Sequence, residues 1–192
     1  MKPSPYFADT IRYFFKRFRS RESLLRWFVK RAGNSSEAFE YPIDFAKIDG
    51  LLVILPELSG DVFAYAAFLK ALDVQKIQGT LLLANVRHEN FLQTLGIRAE
   101  TLYYTGIGCR YGEPEFKKIQ ERLCRSPFTV SVYLEPKPLL QMLYLAKVCG
   151  ATYRFGFDSE RFFPLLNLSL LAGDDAEKRS DFLVNLFAGS TR

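Results

Sequence analysis

Apolar runs of strand length alternate along this chain with segments whose apolar residues recur at helical spacing. Leu51–Leu55 (LLVIL) and Thr80–Ala84 (TLLLA) are almost entirely apolar, which is typical of strands that are covered on both faces. Asp61–Leu72, which lies between them, has the apolar spacing of a helix. The same alternation predicts further strands at Thr101–Tyr104, Thr129–Leu134 and Tyr153–Phe157, and helices at Glu89–Leu95, Pro114–Cys124, Pro138–Cys149 and Glu177–Phe187.

This alternation indicates the fold class. Strands that are separated by helices of this length are joined by right-handed crossovers, so the strands run parallel. We therefore predict an α/β domain over residues 47–192, with at least four parallel strands in one sheet and helices on both faces. This is a Rossmann-like, three-layer arrangement. Residues 34–46, which open with small and polar residues, are typical of a linker.

A basic, aromatic-rich helical arm precedes the linker over residues 1–33. Ser4 and Pro5 have the chemistry of a helix start, and aromatic residues then recur at helical spacing. A second helix is predicted from Ser20 to Gly33, which ends it. We expect a membrane or partner contact from three basic and three aromatic residues of the arm, which are Arg12, Lys16, Arg19, Phe14, Phe18 and Trp27.

Positive charge is concentrated in the same arm. Residues 1–31 hold nine Lys and Arg against Asp9 and Glu22, a net of +7, whereas the whole chain carries +5. A basic amphipathic helix that is rich in Phe and Trp suits an anionic membrane surface. An aromatic stripe also packs on its own domain or on a second copy of the chain, and these alternatives stay open for residues 5–31. Nucleic-acid binding is the weakest alternative, because no recognition motif accompanies the charge.

Three cysteines and one histidine limit the chemistry of the chain. Cys109, Cys124 and Cys149 are widely spaced, and His88 completes no usual zinc-ligand spacing with them. We predict buried free thiols and neither metal nor cofactor. The N-terminus lacks the pattern of a signal peptide, and no apolar run approaches the ~20 residues that span a bilayer. We expect a cytoplasmic protein, at the inner membrane surface if the arm binds lipid.

The loop after the first strand is where an open parallel sheet is expected to bind a ligand. This loop, Pro56–Asp61 (PELSGD), matches neither a dinucleotide fingerprint nor a P-loop. A carboxylate at a helix N-terminus, as predicted for Asp61, is stabilised by the helix dipole and repels phosphate. Asp61 is therefore either the cap of its helix or a base that accepts a proton from a sugar hydroxyl.

Three segments resemble glycosyltransferase family 9, the ADP-heptose–lipopolysaccharide heptosyltransferases. Leu51–Leu72 (LLVILPELSGDVFAYAAFLKAL) is similar to the family's opening strand, Gly-Asp loop and apolar helix. Gly150–Asp158 (GATYRFGFD) is similar to its small-residue turn and Arg-Ile-Gly-Phe strand, and Pro164–Phe187 to the segment that closes its N-terminal domain. The three segments occur in the family's order and span roughly residues 50–188.

The resemblance implies the N-terminal half of a GT-B enzyme, the domain that takes the lipid-linked acceptor while a second domain binds the nucleotide-sugar donor. The family's Gly-Asp aspartate, matched here by Asp61, is the proposed base for the acceptor hydroxyl, and Ser59 and Gly60 belong to the same loop. Further candidates for saccharide contact are Glu135, Lys137 and Arg154. A plain strand-to-helix turn explains the first two about as well, and an ion pair with Asp158 or exposure to solvent explains the third.

The chain departs from the family in four ways. Glu57 stands where a basic or neutral polar residue is more usual, and Tyr133–Lys137 (YLEPK) replaces an Asp-Leu-Gln-Gly-like segment. The closing segment lacks the family's usual His, and the sequence stops at Arg192, where the family's donor domain begins. We therefore expect no sugar transfer by this chain alone, and a separate donor domain as its partner if it is active.

Two classes of function follow from these observations. One is the acceptor-side half of a heptosyltransferase-like enzyme. The other is a non-catalytic binding or scaffold module that docks to a membrane or a protein partner through its arm, and the fold alone does not separate the two. Gly106, Gly108 and Gly112 form a glycine-rich loop that we interpret as a surface turn rather than a phosphate site. The feature that distinguishes the two functions is whether the Asp61 side chain is exposed in a polar cleft or covered by neighbouring side chains.

Overall fold

Strands and helices alternate along the chain in the predicted order. The computed structural model describes residues 21–33, 48–57, 59–75, 79–105, 110–126, 128–135, 138–157, 159–170 and 175–188. The helices in these ranges are α1 (Arg21–Ala32), α2 (Ser59–Ala64), α3 (Ala66–Gln75), α4 (Glu89–Leu95), α5 (Pro114–Arg125), α6 (Leu140–Val148), α7 (Ser159–Phe162) and α8 (Ala176–Ala188). The strands are β1 (Leu51–Ile54), β2 (Thr80–Asn85), β3 (Glu100–Tyr104), β4 (Val130–Tyr133), β5 (Tyr153–Gly156) and β6 (Leu168–Ser169).

One sheet contains all six of these strands, in the order β3-β2-β1-β4-β5-β6. Every neighbouring pair is parallel, so the prediction of at least four parallel strands is confirmed. Leu51 pairs with Thr80 on one side and with Val130 on the other, which places β1 in the middle of the sheet. The chain moves outward from β1 through β2 and β3, and then returns to build β4, β5 and β6 on the other side. The order therefore reverses between β1 and β4, and this reversal is the topological switch point of the sheet.

Two hydrophobic cores cover the two faces of the sheet. Successive side chains of β1 point to opposite faces, so Leu52 and Ile54 belong to one core while Leu51 and Val53 belong to the other. Helices α1, α5 and α6 contribute to the first core, and α2, α3, α4 and α8 contribute to the second. A strand that is buried on both faces has no position for a polar residue, which explains the uniformly apolar run in the sequence. The three-layer α/β fold is confirmed.

The structure divides the predicted helix Asp61–Leu72 into α2 and α3, with a turn at Tyr65. The amide of Tyr65 donates to the carbonyl of Val62 at 3.1 Å, and its hydroxyl donates to the carbonyl of Leu134 at 3.0 Å. Apolar spacing continues through the turn, so the sequence pattern did not reveal it. The two-residue strand β6 and the one-turn helix α7 were also missed, because such short elements leave no periodic pattern.

The second helix of the arm packs on the domain. Phe28 is 4% exposed and belongs to the first core, and α1 lies against α6. The ring of Trp27 meets the ring of Tyr111 edge-on, with 4.9 Å between centroids, and the guanidinium of Arg31 lies 5.6 Å from both ring centroids. For this half of the arm, the structure therefore shows packing on the chain's own domain. The other residues for which a membrane or partner contact was predicted, Arg12, Phe14, Lys16, Phe18 and Arg19, lie outside the described residues.

The two cysteines that the structure describes are free, as predicted, but the prediction that they are buried is wrong. Cys124 is exposed in the last turn of α5, and Cys149 is half-buried just after α6. Their sulfur atoms lie 2.6 Å apart. Cysteine is buried on average, but both residues stand where a helix reaches the protein surface. Within the described ranges, no group of three or more His, Cys, Asp or Glu is placed to hold a metal ion, and no helix is long and apolar enough to cross a bilayer.

Candidate functional site

The loops after β1 and β4 lie side by side at the switch point. Ile54 and Tyr133, near the ends of these two strands, are paired in the sheet, so the segments that follow them leave the sheet together. The first loop leads to Glu57 and the helix that contains Asp61, and the second leads to Glu135. We call this region, built from Glu57, Asp61 and Glu135 with the backbone that carries them, the switch-point edge. Ligands of open α/β sheets bind in such a crevice.

Hydrogen bonds join the two loops of the switch-point edge. The amide of Glu57 donates to Oε2 of Glu135 at 2.8 Å, across 78 positions of sequence. Beneath this contact, the amide of Leu134 donates to the carbonyl of Ile54 at 3.0 Å and extends the ladder between the strands. The amide of Leu139 donates to the Tyr133 hydroxyl at 2.8 Å, which anchors the far end of the second loop. The carboxylate of Glu135 is therefore held in place by a backbone donor from the neighbouring loop.

His88 supports the first loop from the β2 side. Its Nε2 lies 2.8 Å from the carbonyl oxygen of Pro56, and the residue is 1% exposed. A carbonyl only accepts, so this contact requires the proton to be on Nε2. Asn85 begins the short turn that carries the histidine, and its side chain accepts from the amide of Arg87 at 3.0 Å. The structure thus shows His88 as a buried residue that supports the Pro56 backbone.

Tyr65 lies among the charged groups of the switch-point edge. Burial raises the pKa of Tyr65 to about 12, while the nearby Arg179 guanidinium lowers it and the carboxylates of Asp61 and Glu135 raise it. The phenol is therefore neutral at physiological pH and donates to the Leu134 carbonyl. Asp61, Glu135 and Arg179 thus all affect the pKa of one hydroxyl, although they come from three separate parts of the chain.

Arg179 is the positively charged residue near Tyr65. It lies in the first turns of α8, is 7% exposed, and hydrogen-bonds with Tyr65. The guanidinium also lies over the ring of Phe157, 4.4 Å from its centroid, in an arrangement that favours a cation. Phe157 directly follows β5, so this contact brings the C-terminal helix to the same edge of the sheet.

The three acidic residues of the switch-point edge are only partly exposed. Asp61 in the first turn of α2, Glu57 and Glu135 are each half-buried. Oε1 of Glu57 is buried and accepts no hydrogen bond within the described part of the chain. Ser59 and Gly60 are the first two residues of α2, next to Asp61. Carboxylate oxygens accept hydrogen bonds from hydroxyl groups, so three half-buried carboxylates at one edge suit a polyhydroxylated ligand.

Apolar side chains border the same edge. Phe63, two residues after Asp61, is 58% exposed, and its ring meets the ring of Phe91 edge-on with 4.7 Å between centroids. Val86, which directly follows β2, is 40% exposed. Contiguous exposed apolar side chains that are rimmed by polar ones are typical of binding surfaces. The switch-point edge therefore offers both hydrogen-bond acceptors and an apolar border.

Arg154 does not join the other candidate residues. Its side chain is 1% exposed, and it donates to the carbonyls of Leu165 at 3.1 Å, Pro164 at 3.0 Å and Thr152 at 3.3 Å, and also to that of Ala151. These bonds fasten the segment after α7 to the start of β5. The side chain is therefore buried rather than exposed to solvent, and these backbone carbonyls accept from its guanidinium. We therefore omit Arg154 from the saccharide contacts proposed below.

Lys137, Asp158, Gly106 and Gly108 lie outside the described residues. Gly112 has a φ of 87°, which fits the surface turn expected of its loop. Tyr65, His88 and Arg179 are the residues that the sequence did not reveal. Each acts through a contact with a distant part of the chain, and only the amphipathic pattern around Arg179 indicated that its helix packs on the domain.

Comparisons with known proteins identify the fold. A scan against protein-family models finds no match, and a search of curated proteins finds none either. Among solved structures, E. coli ADP-heptose lps heptosyltransferase II is 17% identical, with a TM-score of 0.55 over 70% of this chain and 40% of that chain. The glycosyl transferase family 9 protein from Veillonella parvula is 15% identical, with a TM-score of 0.59 over 80% of this chain and 43% of that one. E. coli heptosyltransferase WaaC with ADP-2-deoxy-2-fluoro heptose is 15% identical, with a TM-score of 0.53 over 72% and 48%.

These likenesses confirm, at the level of the fold, the resemblance that the sequence motifs indicated. The chain has the glycosyltransferase-like, Rossmann-like architecture of part of a family 9 heptosyltransferase. It spans less than half the length of the three heptosyltransferase and family 9 chains that it matches.

Proposed function

We propose that this chain is the acceptor-side half of a heptosyltransferase-like GT-B glycosyltransferase, and that its switch-point edge binds the saccharide of a lipid-linked acceptor. The observation that carries the proposal is the hydrogen bond from the Glu57 amide to the Glu135 carboxylate. This bond joins the loop after β1, which leads to Asp61, to the loop after β4. Both loops lie at the place in this fold where ligands bind. The fold shared with part of three heptosyltransferase and family 9 structures supports the same conclusion.

In this proposal Asp61 is the base. Its carboxylate accepts the proton of the acceptor hydroxyl as that oxygen attacks the donor sugar, which requires a distance of roughly 2.6–3.2 Å between the two oxygens. Glu135 and Lys137 contact other hydroxyls of the acceptor, as does the segment around Ser59 and Gly60. Arg179 and the neutral Tyr65 keep the carboxylates in place. Burial raises the pKa of Tyr65 to about 12, so this phenol does not compete with Asp61 for the role of base.

We further propose that the chain does not transfer sugar by itself. A GT-B reaction holds donor and acceptor together across the cleft between two domains, and much of the rate comes from that positioning. The described strands form one sheet, which supplies one side of such a cleft. A separate donor domain is the partner that this arrangement calls for. No cofactor or metal is needed for the role assigned here to Asp61.

The apolar border supports a lipid-linked acceptor. Phe63 and Val86 expose apolar surface next to the carboxylates, so a ligand with a polar saccharide and an apolar tail fits this edge better than a free sugar does. An acceptor of this kind would bring the protein to the cytoplasmic surface of the inner membrane. The alternative function, a scaffold that docks through its arm, is supported less well. The described half of the arm packs on the domain and leaves residues 1–20 as the segment for such docking.

Isothermal calorimetry with the full chain tests this proposal. Deacylated lipopolysaccharide core oligosaccharide serves as the acceptor probe, and Asp61→Asn removes the charge while keeping the shape. We expect binding by the wild type and at least about tenfold weaker binding by the variant, since a hydrogen bond to a charged group contributes about 1.5–3 kcal/mol. Asp49→Asn is the matched control, because Asp49 is exposed just before β1, at the opposite edge of the sheet. Equal affinity of Asp61→Asn and wild type, or no binding by either, contradicts the proposal.

A further inference from the structure

Two cysteines from different helices meet at the edge of the sheet opposite the switch-point edge. Cys124 lies in the last turn of α5, ahead of β4, and Cys149 directly follows α6, ahead of β5. Both therefore lie at the amino ends of the strands. Their Sγ atoms are 2.6 Å apart although 25 positions separate them in sequence.

The surroundings hold the two sulfurs together and leave one of them accessible. Helices α5 and α6 pack against each other, and Sγ of Cys149 lies 3.6 Å from the carbonyl oxygen of Gln120 in α5. Cys124 is exposed, and an open groove that also includes Asp49 and Thr129 leads to the pair. Burial raises the pKa of the Cys149 thiol, and the neighbouring Cys124 raises it further. A reagent in solution therefore reaches the Cys124 sulfur first. The less accessible Cys149 sulfur is in contact with it.

We propose that Cys124 and Cys149 form an intramolecular disulfide by exchange with a small disulfide such as oxidised glutathione. A disulfide forms without backbone movement only where two cysteines already approach each other closely. This pair does so, because two packed helices bring the sulfurs into contact. The pair is therefore a redox-sensitive modification site, formed under oxidising conditions and opened by reducing thiols.

The exchange proceeds in two steps. The Cys124 thiolate attacks one sulfur of the small disulfide, which gives a mixed disulfide on Cys124 and releases the first small thiolate. Cys149 then loses its proton to water and attacks Sγ of Cys124, which forms the protein disulfide and expels the second small thiolate. The two protein thiols are oxidised, the small disulfide is reduced to two thiols, and the two protons pass to the released thiolates through water. Cys149 is the resolving cysteine, since Cys124 is the exposed one.

The bond would stabilise the fold without changing the proposed acceptor site. It closes a loop that contains β4 and α6, so it restricts the unfolded chain, and for a loop of this length the melting temperature should rise by roughly 5–15 °C. The cysteines lie at the amino edge of the sheet, whereas Asp61 and Glu135 follow the carboxyl ends of their strands. Saccharide binding should therefore be the same in the reduced and the oxidised protein. The inference does not depend on the proposed function.

Oxidation of the full chain in a Cys109→Ser background tests the proposal. This background leaves only the pair, because the sequence contains three cysteines. After treatment with oxidised glutathione we expect free thiols to fall from two per chain to none, a peptide map to show Cys124 linked to Cys149, and the melting temperature to rise. Reductant should reverse all three changes. Two remaining thiols, linkage between chains, or a stable glutathione adduct on both cysteines would overturn the proposal.

Single-cysteine variants in the same background test the order of the steps. Cys149→Ser should trap a mixed disulfide between Cys124 and glutathione, because the resolving thiol is absent, and its melting temperature should not rise. Cys124→Ser should react at least tenfold more slowly, since only the half-buried Cys149 remains. Faster reaction of Cys124→Ser than of Cys149→Ser would overturn the assignment of Cys124 as the attacking sulfur.

Discussion

Replacing Arg154 by methionine tests whether this residue holds the fold or contacts a ligand. The buried guanidinium donates to four backbone carbonyls, those of Ala151, Thr152, Pro164 and Leu165. A hydrogen bond to a charged group contributes about 1.5–3 kcal/mol, and the variant leaves these carbonyls without that donor. Methionine fills much of the space and removes the cost of burying a charge, so the net loss is smaller than four such contributions. We expect the free energy of unfolding to fall by about 3–5 kcal/mol, which is on the order of 10 °C in Tm.

Urea unfolding followed by circular dichroism measures this loss. Arg125→Met is the matched control, because Arg125 is exposed at the end of α5, and its effect should stay within about 0.5 kcal/mol. The reasoning is refuted if Arg154→Met unfolds at the same urea concentration as the wild type. Unchanged stability together with weaker saccharide binding would instead make Arg154 the ligand contact that the sequence suggested.

Two further predictions concern the core and the pH dependence of stability. A Cβ added at Gly156 would lie 2.6 Å from Cδ1 of Leu166, so Gly156→Ala should lower the unfolding free energy by about 1–3 kcal/mol, and by less in a Leu166→Ala background; an equal loss in both backgrounds would show that this contact is not the cause. Burial raises the pKa of Tyr65 to about 12, so the folded chain keeps a proton that the unfolded chain loses near pH 10. The contribution of the neutral Tyr65 to stability is therefore present below pH 10 and is lost as the pH rises towards 12. The advantage of wild type over Tyr65→Phe in urea unfolding should therefore shrink by about 1 kcal/mol between pH 8 and pH 11, whereas a constant difference would contradict the raised pKa.

The strands were predictable because the sheet is buried on both faces, so apolar residues occupy successive positions of a strand in the sequence. Leu51 to Ile54 face two cores in turn, so no polar residue interrupts the run, and the same holds for most of β2. The order of the strands was not predictable from these runs, since the pattern does not say which strand pairs with which. The turn at Tyr65 was hidden for a related reason. The Tyr65 hydroxyl donates to the carbonyl of Leu134, a residue 69 positions away, and the sequence pattern does not show such a contact.

The candidate site was predictable only where a topological rule applied. Ligands bind beyond the carboxyl ends of parallel strands, and this rule selected the loops of Asp61 and Glu135, which the structure places side by side. No such rule selects His88 or Arg179, because a lone polar residue in the sequence does not show whether it is buried. Arg154 illustrates the converse: its motif suggested a ligand contact, but the carbonyls that surround it come from segments whose approach depends on the fold.

Amide chemical-shift mapping by NMR with the deacylated core oligosaccharide tests the central claim most directly, because it reports where on the chain the saccharide binds. If the switch-point edge is the acceptor site, the largest shifts will fall on the amides of Glu57, Asp61 and Glu135, while those of Asp49 and Gly150 at the amino edge stay unchanged. Shifts confined to the amino edge or to α1, with none at the switch-point edge at saturating saccharide, would contradict the account.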